Sequence, residues 1–252
     1  MTISLRRKCF SQQHGTGRDV MIQCEQLTKS YVADDNIVQA VDHVDLSIAR
    51  HDFVVILGHS GSGKTTLLSL IGGLTGADSG AIRIHGRDHR GAGDRYLSAL
   101  RNKTIGFIFQ FASLIPTLTA LENLLLPLSF GAGPGNGKAR ALALLDQVGL
   151  ADKANVYPSQ LSGGQQRRIA IARAFINEPE IILADEPTGD LDEETENDIL
   201  RMFRRFHEQG TTFLVVTHNV QLADTQHECR VLHMKNGRLG EGIADRGSRI
   251  AD

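Results

Sequence analysis

Two stretches early in the chain, 21–27 and 38–48, alternate or cluster β-formers, and a third at 81–85 sets Ile82 and Ile84 on one face. Such alternation predicts strands with one face covered, here a small antiparallel sheet. Phe53-Val54-Val55-Ile56-Leu57 is different, because no polar position interrupts it. A run of that kind predicts a strand buried on both faces, the habit of parallel sheets. Ile105-Gly106-Phe107-Ile108-Phe109, Ile181-Ile182-Leu183-Ala184 and Thr212-Phe213-Leu214-Val215-Val216-Thr217 repeat it, so a parallel core of several strands is expected, with a helix from about Leu191. Between 119 and 164 the period becomes helical, with Leu121, Leu124, Leu125 and Leu128, then Ala141, Leu144, Leu145 and Val148 after a glycine-rich loop. Asn236-Gly237 marks a late hairpin.

The ends of these elements carry the chemistry. The buried strand 52–57 runs into Gly58-His59-Ser60-Gly61-Ser62-Gly63-Lys64-Thr65, followed by the helical Thr66-Leu67-Leu68. This is the G-x-x-x-x-G-K-[ST] phosphate loop in the strand-to-helix setting it requires. Its glycines let backbone wrap around phosphates, Lys64 reaches the β and γ oxygens as a point charge, and the Thr65 hydroxyl can ligate Mg²⁺. Leu161-Ser162-Gly163-Gly164-Gln165 opens a second helix, and its free N–H groups suit an anion, although the same residues serve equally as an N-cap. The strand ending in Asp185-Glu186 sets two carboxylates at the edge where ligands bind. Consecutive strand residues face opposite ways, so they should do different jobs: Asp185 in the Mg²⁺ shell, Glu186 polarising the water that attacks the γ-phosphate.

With these motifs in this order, the chain resembles the nucleotide-binding subunit of ATP-binding cassette (ABC) transporters over nearly its whole length, from about Met21 to Gly240. The resemblance implies an α/β fold: a P-loop NTPase (RecA-like) core, an antiparallel β subdomain and an inserted α-helical subdomain. The cassette would occupy 19–240, with its helical subdomain at about 95–164 and tails of low order at 1–18 and 241–252. The resemblance also implies that Tyr31 stacks on adenine and that Gln110 senses Mg²⁺ and the membrane partner. Asp190 to Asp192 would cross a dimer interface, and His218 would contact the γ-phosphate. Thr66 and Gln165 join the nucleotide contacts, with ATP and Mg²⁺ as cofactors. His59 stands where proline is common and Asp190 where Asn or Ala is frequent.

Phe111-Ala112-Ser113-Leu114-Ile115-Pro116-Thr117-Leu118-Thr119-Ala120-Leu121-Glu122-Asn123 resembles the group that drives lipoprotein release and macrolide or peptide efflux. Thr119 with Glu122 makes a capping box, and Leu114, Ile115 and Leu118 are expected to form an exposed cluster that takes a partner's coupling helix. The expected assembly is a homodimer of ATPase subunits on a separate membrane permease, with a periplasmic partner reached through that permease. Closure on ATP would enclose each nucleotide between the phosphate loop of one subunit and Ser162-Gly163-Gly164 of the other. The other readings are an ATPase of a cell-division or envelope-regulating membrane complex that transports nothing, and a soluble non-transport ATPase of the same superfamily.

Composition restricts the setting. The chain has 252 residues and a formal net charge of −2, enough length for a sizeable core and no global basic field for nucleic acid. Cys9, Cys24 and Cys229 have neither disulfide-framework nor zinc-site spacing, which fits a reducing compartment. No apolar run is long enough to span a bilayer, and Arg6-Arg7-Lys8 precedes no hydrophobic core. The expected location is therefore peripheral, at the cytoplasmic face of the inner (plasma) membrane, held there by a partner.

Overall fold

The computed structural model describes residues 19–33, 36–131, 135–189, 191–220, 222 and 229–241. The expected N-terminal tail, Cys9, Asp190 and the chain beyond Glu241 lie outside these residues. In chain order the elements begin with β1 (Val20–Ala33), β2 (Asn36–Ala49), β3 (Phe53–Leu57) and α1 (Lys64–Ile71). Next come β4 (Ser79–Ile84), β5 (Arg87–Asp88), α2 (Asp94–Lys103) and β6 (Ile105–Ile108). Then follow α3 (Ala120–Leu125), α4 (Gly137–Gln147), α5 (Gly163–Ala174) and β7 (Ile181–Asp185). The last are α6 (Glu193–Glu208), β8 (Thr212–Thr217), β9 (Arg230–Lys235) and β10 (Arg238–Glu241).

An antiparallel sheet of order β2-β1-β4-β5 faces a second sheet of order β10-β9-β3-β8-β7-β6, parallel except for β10. The uninterrupted apolar runs are explained by two separate cores, one on each face of the parallel sheet. Val54, Ile56, Leu183, Leu214 and Val216 pack with α1 and the antiparallel sheet. Val55, Leu57, Ile182, Ala184 and Val215 pack with α6 and the helices α3, α4 and α5. Each strand therefore needs apolar side chains at both odd and even positions.

Parallel register aligns the strand ends. Leu57 sits opposite Thr217, Asp185 opposite Val216 and Ala184 opposite Ile108, so the loops after all four strands leave from one edge. The range expected to be helical from 95 is divided by β6, which belongs to the parallel sheet because its apolar residues pair with β7. The separate helical layer begins at α3.

Candidate functional site

The phosphate loop is held from behind by backbone. A Cβ built on Gly58 would lie 2.5 Å from the Met234 carbonyl oxygen, and one on Gly63, at φ 104°, 1.9 Å from that of Ala40. Only glycine fits at these two places. His59, Ser60 and Gly61 form the exposed rim, with Thr66 half-buried behind it. Lys64 is buried and donates to the carbonyls of Gly58 at 2.7 Å and His59 at 3.2 Å. Its Nζ also lies 3.7 Å from Glu186 Oε1, which ties the loop to the carboxylate edge.

At that edge burial raises the Asp185 carboxyl above its usual range. The neighbouring Thr65 hydroxyl and the Lys64 charge oppose that rise, while the Glu186 charge adds to it. Asp185 Oδ1 and Ser62 Oγ are buried without a hydrogen-bond partner. A buried carboxylate oxygen lacking a donor, next to a threonine hydroxyl, is the oxygen donor set that Mg²⁺ takes when phosphate and water complete its shell, so these residues fit that ion.

Glu186 does not continue the strand. Its φ of 44° is left-handed, and its N–H donates to the Val216 carbonyl at 2.9 Å. The expectation that strand alternation separates the two carboxylates is thereby corrected: the backbone turns at Glu186, and both carboxylates feel Lys64. Glu186 Oε2 accepts from Thr217 Oγ1 at 2.8 Å and from the His218 N–H at 3.2 Å, and His218 Nδ1 lies 2.9 Å away. Oε2 is thus fully occupied, leaving Oε1 toward Lys64. Thr217 was not singled out by sequence reasoning, although a hydroxyl at the end of a strand before His218 was the available signal. Asn219 extends the network, donating to Thr217 Oγ1 at 3.0 Å and to Glu196 Oε1 at 2.8 Å.

The remaining predicted residues sit on the surface. Tyr31 is 44% exposed, opposite Val38 on the β1–β2 hairpin, with Lys29 Nζ 5.5 Å from its ring centre. Gln110 is exposed two residues beyond β6. Ser162 and Gln165 form a reciprocal capping box: Ser162 Oγ accepts from the Gln165 N–H at 3.2 Å, and the Gln165 side chain accepts from the Ser162 N–H at 3.0 Å. The N-cap bonds leave the serine hydroxyl proton uncommitted among the described residues. Gly163 has open space around it, and Gly164 lies beside Thr195 at the start of α6.

The apolar cluster after Gln110 is only partly as expected. Leu114 is half-buried and packs on the core, Leu118 is half-buried, and Ile115 is 37% exposed. Phe111, not singled out from the sequence, is 75% exposed. Among the described residues no helix is long and apolar enough to cross a membrane.

Known proteins share this fold and much of this sequence. A family model described as ABC transporter matches residues 41–189. The lipoprotein-releasing system ATP-binding protein LolD of Porphyromonas gingivalis is 43% identical over 222 residues, covering 87% of this chain and 99% of that protein. The macrolide export ATP-binding/permease protein MacB of Syntrophobacter fumaroxidans is 41% identical over 221 residues, 86% of this chain, which spans only 31% of that longer protein. A solved dimeric post-hydrolysis structure of the ATP-binding cassette MJ0796 bound to ADP and Pi superposes with a TM-score of 0.81 at 42% identity, covering 87% of this chain and 96% of that one.

Proposed function

The chain belongs to the ABC transporter family as an ATP-binding, ATP-hydrolysing cassette, and on that premise we propose that it hydrolyses Mg-ATP at two shared sites in a homodimer to drive a separate membrane permease. The observation that carries the chemistry is the Glu186 carboxylate, fixed by Thr217 and His218 and turned toward Lys64. In that position Glu186 orients the attacking water and Lys64 holds the β and γ oxygens, while Thr65, Asp185 and Gln110 would hold Mg²⁺. Bound there, Mg²⁺ would neutralise phosphate charge. Tyr31 supplies the adenine platform, and His218 presents its second ring nitrogen to the γ-phosphate.

Ser162, Gly163 and Gly164 form the other half of each site. Among the described residues no hydrogen bond joins them to the phosphate loop of their own chain, and the MJ0796 cassette was solved as a dimer. Phe111 and Ile115, both exposed, form the docking face for the permease, and the subunit works at the cytoplasmic face of the inner membrane. The names of LolD and MacB favour transport or lipoprotein handling over a soluble, non-transport ATPase.

The test is Glu186→Gln, which keeps shape and metal site. It should bind ATP, elute as a dimer with Mg-ATP in size-exclusion chromatography, and lose at least about 100-fold in turnover. Hydrolysis near the parent rate would remove Glu186 from the chemistry.

A further inference from the structure

Residues 109–119 carry no helix or strand, yet their backbone is gripped from two helices. From α5, Arg167 Nη1 donates to the Phe109 carbonyl at 2.6 Å. Arg173 donates to the Ala112 carbonyl at 3.1 Å and the Ser113 carbonyl at 2.9 Å. From α3, the fully buried Asn123 accepts from the Ile115 N–H at 2.8 Å and donates to the carbonyls of Ile115 at 3.2 Å and Leu118 at 3.0 Å. Two successive carbonyls can meet one guanidinium because Ser113 adopts a left-handed φ of 46°. Residues of this kind hold such backbone only where surrounding contacts enforce it.

Arg173 is the unusual member. Burial holds its pKa below the usual arginine value, and among the described residues no carboxylate pairs with it. Arg173 is only half-buried, so its paired carbonyl contacts are what set it apart. Its rigid fork fixes two points of the loop at once. Arg173 lies eleven positions after Ser162, about 16 Å along one helix at 1.5 Å per residue. The intervening Ile169, Ile171 and Ala172 are fully buried, so one continuous, packed helix joins the two ends.

We propose that Arg173, assisted by Arg167, is the positioning residue that couples the loop 109–115 to the Ser162-Gly163-Gly164 terminus. Closing that terminus on nucleotide then moves the loop whose Phe111 and Ile115 face outward. This rests on the reading that Ser162, Gly163 and Gly164 complete the partner's site.

The experiment is hydrogen exchange of the purified chain in a Glu186→Gln background, with and without Mg-ATP, followed over residues 110–118, with size-exclusion chromatography reporting closure. The parent should close and its loop exchange should slow about fivefold or more, the lower end of typical coupling between sites. Arg173→Met should close while the loop exchange stays within about twofold of its ATP-free value. Arg173→Lys, which keeps the charge and loses the fork, should behave alike and decides the matter if the methionine variant does not fold. Absence of a dimer in the parent would overturn the shared-site reading itself. A parent that closes with its loop unchanged overturns the coupling without any variant. So does a variant that closes with full slowing, and so does a folded variant that no longer closes, since Arg173 would then merely shape α5.

Discussion

Asp185 and Glu186 are adjacent carboxylates in unlike surroundings. Glu186 is supplied with donors by Thr217 and His218, whereas Asp185 is desolvated and has one oxygen without a partner. Because burial raises the Asp185 carboxyl, the folded chain holds that proton more tightly than the unfolded chain does. Stability of the nucleotide-free protein should therefore grow as pH falls through the raised value toward the ordinary carboxylate range, and decline in the opposite direction. Asp185→Asn should remove that dependence and raise the Tm at neutral pH, each kcal/mol being worth about 2–4 °C at this chain length. The same variant should lose Mg²⁺-dependent hydrolysis. Thermal melts from pH 4 to 8 check the first point, and a lower Tm at neutral pH would show that the Asp185 charge is already compensated in the apo-protein. Cys24 has no comparable part: burial pushes its thiol up to about 12, which leaves it unreactive.

At the scale of elements, the phosphate loop owes its shape to strands distant in sequence. Gly237, in the β9–β10 turn, donates to the Ser62 carbonyl at 3.0 Å and accepts from the Asp42 N–H at 2.9 Å. A methyl group at position 63 would strike the Ala40 carbonyl at a backbone conformation that L-residues avoid. Gly63→Ala should therefore abolish nucleotide binding with the strands intact, which calorimetric ATP titration alongside circular dichroism would measure; parent-like affinity would mean that β2 yields. The segment proposed for docking permits a contrast between neighbours. Leu114 packs on the core and Phe111 does not. Leu114→Asp should lower the Tm clearly, while Phe111→Asp should leave Tm and ATP binding unchanged and reduce recovery with inner membranes. Equal membrane recovery of Phe111→Asp and parent would remove Phe111 from the docking face.

For the whole molecule, the phosphate loop and the α5 terminus are built on different layers, the first between the two sheets and the second in the helical layer. If each ATP is enclosed by one of each from different subunits, Lys64→Ala and Ser162→Arg homodimers should both be inactive. Mixing them gives a heterodimer with one doubly damaged site and one intact site. Hydrolysis should return to roughly a quarter of the parent rate in an equimolar mixture, half of the dimers being mixed and each having one working site. Heterodimers demonstrated by differential tagging yet without activity would mean that both sites must work together or that each is complete in one chain; an intact-site heterodimer of parent with Ser162→Arg would separate these.

Much of this protein is legible in its sequence, because the informative features are local. Periodicity identified the strands, since a strand buried on both faces must be apolar at every position. Gly58 to Thr65, Ser162 to Gln165 and Asp185-Glu186 marked the candidate site, since wrapping phosphate requires glycine and hydroxyls at fixed spacing. The capping box at Thr119 and the N-cap at Ser162 were readable because such caps follow a local residue pattern. Only the tertiary structure decided which apolar side chains after Gln110 are core and which are surface, because a loop without period carries no face. It also decided the left-handed turn that brings Glu186 back beside Lys64, and the grip of Arg167, Arg173 and Asn123 on backbone carbonyls. Carbonyls are present at every residue, so a side chain that binds them leaves no mark on its partner's sequence.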